Sequence, residues 1–135
     1  MVAETILSAL EYPASELAIT IVGDRLIRIL NRQYLGKDRP TNVISFALNE
    51  GEFSGLNPDV LGDVVISAAT AAREAAEAEI PYFERLSFLL LHGILHLVGY
   101  DHERSGPVEA ARMEEKEQEL LALLHQTRCL EESSA

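Results

Sequence analysis

The sequence predicts an α+β fold: a small mixed β-sheet packed with helices, built around one central buried helix. Three observations lead there. Short β-branched runs alternate with segments of helical periodicity. The stretch from Leu86 to Leu97 is apolar on nearly all sides, the pattern of a helix enclosed by the rest of a domain. The order is helix, strand, helix, strand, strand and three helices, which suits a sheet covered by helices rather than a regular β-α alternation.

Each element follows from its residues. Positions 2–10 form a short helix, broken at Tyr12-Pro13. Glu16 to Val22 (ELAITIV) is a strand. Gly23-Asp24 turns the chain, and Asp24 is placed to cap a helix through about Leu35, with Leu26, Ile27, Leu30 and Tyr34 at helical spacing. Gly36 follows as its stop. Asn42 to Leu48 is the second strand, positions 49–60 a loop, and Leu61 to Ile66 the third strand. Ser67 caps an alanine-rich helix reaching about Glu79, closed by Ile80-Pro81. Pro81 suits the first turn of the central helix, which runs to about Val98 with Gly99 as a left-handed stop. Pro107 opens the last helix, through about His125, with Val108, Ala111, Leu120, Leu121 and Leu124 available for packing.

A chain of 135 residues with 47% hydrophobic and 24% charged residues fits a single domain over 1–135, with 130–135 as a disordered tail. The lone Cys129 forms no internal disulfide, so the fold needs no oxidising compartment. Glu4 interrupts the N-terminal apolar stretch, no basic n-region precedes it, and the run Leu86 to Val98 is short for a bilayer. The expectation is a cytoplasmic protein without membrane contact.

The net charge of −11 argues against non-specific duplex binding. The charge is uneven: Arg25, Arg28, Arg32, Lys37 and Arg39 face only Asp24 and Asp38 between positions 24 and 39, leaving −14 on the rest. Such a patch binds a polyanion if it borders an active site, and otherwise is a solvated surface.

Three of the four histidines fall within eleven positions, His92-Gly-Ile-Leu-His96-Leu-Val-Gly-Tyr-Asp-His102. His92 and His96 lie four apart, slightly more than one helical turn, so both rings leave one face. Burying two imidazoles among Leu, Ile and Val is costly unless their nitrogens find a partner. A divalent transition metal is that partner, with His102 arriving as third ligand after the turn at Gly99. Zinc suits three imidazoles, and nickel or another divalent ion is compatible. Three ligands leave a tetrahedral ion one open position, where bound water becomes acidic. His125 stands apart and reads as surface.

The spacing resembles the zinc signature of metzincin proteases, which carry Glu directly after the first histidine as general base. Here that residue is Gly93. Asp101 is a candidate base, or a hydrogen-bonding partner of a ligand imidazole, the role we favour.

Taken whole, HGILHLVGYDH resembles the signature of the YbeY family of bacterial metal-dependent endoribonucleases. Leu30 to Phe46 (LNRQYLGKDRPTNVISF), Leu61 to Ser67 (LGDVVIS) and the acidic helix around Met113 to Glu117 are similar to further segments of that family, in consistent order over roughly 16–125. The resemblance implies an α+β hydrolase cutting single-stranded RNA with zinc at the three histidines. It also implies action in maturation and quality control of ribosomal RNA on the small subunit. Two departures stand out. Leu35 occupies the place of a family arginine associated with the RNA phosphate, so the expectation is either weaker activity or reliance on Lys37 or Arg39. The family's N-terminal strand has no counterpart, which leaves the sheet one strand smaller or its edge exposed. Two other readings compete: a metzincin-like metallopeptidase, and a non-catalytic ribosome-assembly protein with a vestigial metal site.

Overall fold

Eight elements follow one another in the expected order. They are α1 (Val2–Ala9), β1 (Glu16–Val22), α2 (Asp24–Leu35), β2 (Val43–Ala47), β3 (Val60–Ser67), α3 (Ala68–Ala78), α4 (Tyr82–Leu97) and α5 (Gly106–Gln126). They come from a computed structural model that describes residues 2–11, 16–47, 60–99 and 106–126.

The three strands make one mixed sheet in the order β1-β3-β2, with β1 parallel and β2 antiparallel to β3. The central strand is apolar on both faces because both are covered. Val64 and Ile66 point into the main core with residues of α4, while Val65 meets Ile27 of α2 and Ile44 of β2 in a second cluster. β1 is an edge strand and shows it: Ile19 and Ile21 are 42% and 52% exposed.

Helix α4 is the axis of the molecule. It packs on β2 and β3 and is flanked by α1, α3 and α5. Leu89, Leu91, Ile94, Leu95 and Leu97 are buried along it, each contributing about 2 kcal/mol of apolar transfer. Every buried side chain along α4 therefore fixes where its two histidines stand.

Four local expectations are corrected. Asp24 does not cap α2: Gly23 is the N-cap residue, and no side chain caps this end. The Asp24 carboxylate instead crosses to α3, accepting from Ser67 Oγ and Thr70 Oγ1, both at 2.6 Å, and pairing with Arg73 at 2.8 Å. Ser67 does cap α3, accepting from the Thr70 N–H. On α2, Leu26 and Tyr34 are exposed: burial is confined to Ile27 and Asn31, with Leu30 partly covered, and Tyr34 meets the sheet only at its margin, edge-on to Phe46 at 5.2 Å. On α5, Val108 and Ala111 also face solvent. They lie roughly 140–160° around the helix from Met113, which is buried. Pro81 precedes the first turn of α4 as its N-cap, with extended backbone, rather than entering it.

Candidate metal centre

The site starts from helix spacing. His92 and His96 project from one face of α4, their rings 4.7 Å apart between centroids and inclined at 77°. Their Nε2 atoms come within 3.2 Å of each other. Two imidazole ligands on a tetrahedral zinc, with bonds of roughly 2.0–2.1 Å, would hold their nitrogens about 3.3 Å apart. The observed separation therefore fits a shared divalent ion.

The other side of His92 is also engaged. Its Nδ1 lies 2.6 Å from Oε2 of Glu117 on α5. A carboxylate only accepts, so Nδ1 donates, and in the neutral ring the Nε2 lone pair then faces His96. Glu117 is 8% exposed, an unusual depth for a carboxylate. It occupies a stripe at spacings of four, three and four, Met113-Glu117-Leu120-Leu124, all buried. The same spacing is present in the sequence, where it marks Glu117 as an acid at a core position. Glu117 was nonetheless not singled out from the sequence, where Asp101, outside the described residues, was the favoured imidazole partner.

The position after the first histidine is explained by packing. A Cβ built on Gly93 would come within 2.7 Å of Val64 Cγ1, 3.2 Å of Ser45 Oγ and 3.3 Å of Val43 Cγ2. Ser45 also donates to the Gly93 carbonyl at 2.9 Å. Residue 93 faces the sheet at closest approach, where a glutamate has no room.

A second chain of contacts steadies the same helix from the α3 side. Glu74 accepts from Asn42, which precedes β2, and pairs with Arg85 at 2.9 Å. The Arg85 guanidinium sits 5.0 Å from the centre of Phe88, whose ring lies 6.3 Å from that of His92. At the other end of α4, Gly99 adopts φ +109°, the left-handed conformation expected of it, and bonds through its N–H to the His96 carbonyl. His102 and Asp101 lie outside the described residues. Among the described residues no group of three His, Cys, Asp or Glu side chains gathers around one point.

Lys37 and Arg39 lie on the exposed loop after α2. What fixes that loop is α2 itself: buried Asn31 donates to the Arg39 carbonyl at 2.9 Å, and Arg28 pairs with Asp38 at 2.9 Å. The Arg28 guanidinium holds the Asp38 carboxyl below its usual range. The loop leads into β2, whose Val43 and Ser45 bracket Gly93. Leu35 is half exposed at the end of α2, and His125 is an exposed residue near Glu84.

Comparison with known proteins gives a consistent result. The sequence profile of the family described as Endoribonuclease YbeY matches residues 1–125. An endoribonuclease YbeY of Geobacter sulfurreducens is 71% identical over 123 residues, covering 91% of this chain and 82% of that protein. The Geobacter metallireducens protein of the same name is 68% identical over the same shares. That of Syntrophotalea carbinolica is 56% identical over 93% of this chain and 83% of its own length. Among solved structures, the solution structure of a Thermotoga maritima protein superposes with a TM-score of 0.63 at 29% identity, over 95% of this chain and 80% of that one.

Proposed function

Because the chain belongs to the YbeY family of endoribonucleases, and is therefore an RNA-cleaving hydrolase, we propose that it cuts single-stranded ribosomal RNA of the small subunit using one divalent ion. The ion, zinc by preference, is held by His92, His96 and His102, in the cytoplasm where ribosomes mature. The observation that carries this reading is the 3.2 Å approach of the two Nε2 atoms, with His92 turned by Glu117 so that its lone pair faces the gap.

When bound, such an ion supplies Lewis acidity at a phosphoryl oxygen and an acidified water. The protein's own groups do the rest. Packing of α4 on the sheet sets the two rings. Lys37 and Arg39 offset the charge that grows on phosphorus, Leu35 being unable to. No residue is assigned as general base; Asp101 is the candidate.

The peptidase alternative loses support at Gly93, since the sheet fills the space its glutamate would need. The test is to load the protein with zinc and present single-stranded RNA and casein in parallel. Internal cleavage of RNA that stops on chelation is expected. Cleavage of casein with intact RNA would reject the reading.

A further inference from the structure

We propose that Glu117 is the positioning residue of the metal centre: its carboxylate fixes His92 as the Nδ1–H tautomer and so aims Nε2 at the ion. This inference rests on the reading of His92 and His96 as ligands.

Three observations support it. The contact is short, 2.6 Å from Nδ1 to Oε2, and falls on the ring nitrogen opposite the one that faces His96. Glu117 stands at a core position of α5, between Met113 and Leu120, where an apolar side chain would pack without the cost of burying a charge. A carboxylate kept there needs a partner, and the imidazole provides it. Finally, α5 and α4 are separate elements, so the pairing is made by the tertiary fold and not by neighbours on one helix.

The consequence is electronic as well as geometric. A neutral imidazole with an unrestrained ring exchanges between two tautomers and two ring orientations, only some of which present Nε2 as an acceptor. Hydrogen bonding from Nδ1 to a carboxylate selects one and makes Nε2 more basic. The negative charge also offsets part of the dication's charge, since the three proposed ligands are neutral. Loss of such a partner weakens metal binding about 10- to 100-fold in comparable sites.

The test compares Glu117→Met, which keeps bulk and removes the acceptor, with Glu117→Gln, whose amide oxygen still accepts from Nδ1. Zn²⁺ affinity is measured by competition with a chelating indicator. The His92 tautomer is read from ¹⁵N ring shifts of the metal-free full chain. We expect the Nδ1–H tautomer in the unmodified protein, a Zn²⁺ Kd weakened about 10- to 100-fold in Glu117→Met, and less than tenfold in Glu117→Gln. A purely structural bridge between α4 and α5 predicts otherwise: lower thermal stability in Glu117→Met with unchanged Kd and tautomer, and that result overturns the proposal. So does an Nε2–H tautomer at His92 in the unmodified protein, which decides the matter even if Glu117→Met fails to fold. If the unmodified protein shows the expected tautomer but binds neither Zn²⁺ nor Ni²⁺, the metal reading itself falls, and the positioning role falls with it.

Discussion

His92 and His96 stand on a helix whose neighbouring side chains from Leu89 to Leu97 are buried in the core, whereas Lys37 and Arg39 stand on a loop that faces water. Both regions carry the polar residues of the proposed reaction, yet they are held differently. The histidine pair is set by packing: Leu91, Ile94 and Leu95 lock the helix, Gly93 lets it touch the sheet, and Glu117 reaches in from α5. The loop is set by polar links to α2: Asn31, whose carbonyl accepts from the Lys37 N–H and whose side chain donates to the Arg39 carbonyl, and the exposed Arg28–Asp38 pair. A site needing its donors within tenths of an ångström is built on the first principle. A surface gathering a flexible polyanion needs charge more than geometry, and the second suffices.

The sharpest break in this contrast comes from His96→Ala. Metal content by elemental analysis should fall from one ion per chain to a small fraction of that. Added zinc at a hundredfold excess over Kd should stabilise the unmodified protein by about 2.7 kcal/mol and the variant hardly at all. Equal metal content in the two would end the reading of this helix face as a metal site.

Gly93→Ala probes the packing behind the same face. Alanine gains about 1 kcal/mol in helix propensity. Against this, its Cβ meets Val64 Cγ1 at 2.7 Å inside a filled core. Valine is stiff, so the helix or strand must shift, a cost of about 1–3 kcal/mol. Overpacking should win, with a net loss of roughly 1 kcal/mol or more in urea unfolding. A variant as stable as the unmodified protein would mean that the helix has slack against the sheet.

How much of this was legible follows the same division. The strand ELAITIV was readable to the residue, and the helix that follows it to within one position, because a β-branched run and a glycine stop are local signals. His92 and His96 stood out because imidazoles in a run of Leu and Ile contradict their surroundings. Glu117 was written in the same language, an acid on an apolar stripe, but the charged residues around it on α5 hid it. The reach of Asp24 to Ser67 and Thr70 was not legible at all. It joins residues more than forty positions apart, and a helix-start aspartate has an ordinary local explanation as a cap. The exposure of Leu26 and Tyr34 was hidden for a related reason, since periodicity gives an apolar face but not the width of what covers it.

Asp24→Asn tests a joint that lies between the two regions, where α2 meets α3. The hydroxyls of Ser67 and Thr70, with Arg73, hold its carboxyl down from 3.8 to about 2. A depressed pKa means that folding favours the ionised form. The stabilisation is complete above the ordinary value and is lost as pH falls through about 2. At neutral pH the variant should be less stable by roughly 1 kcal/mol. The gap between the two proteins should hold down to about pH 5, narrow below 4, and close only below about pH 2. A gap independent of pH would show that shape, and not charge, is what Asp24 contributes.

The smallest effects are expected on the loop, and they are visible in salt dependence rather than stability. Lys37 is exposed, so Lys37→Ala should leave the thermal midpoint unchanged. If its charge meets an RNA phosphate, the slope of log affinity against log salt should flatten by about 0.7, the counterion share of one contact on a single strand. Asp38→Asn should act in the opposite sense, because it releases Arg28 from its partner and adds a cation to the patch. With metal chelated from both proteins, His96→Ala, which removes no surface cation, should leave the slope where it was. If Lys37→Ala also leaves it unchanged, the basic segment is only a solvated helix end, and the RNA must be held by groups nearer the histidines.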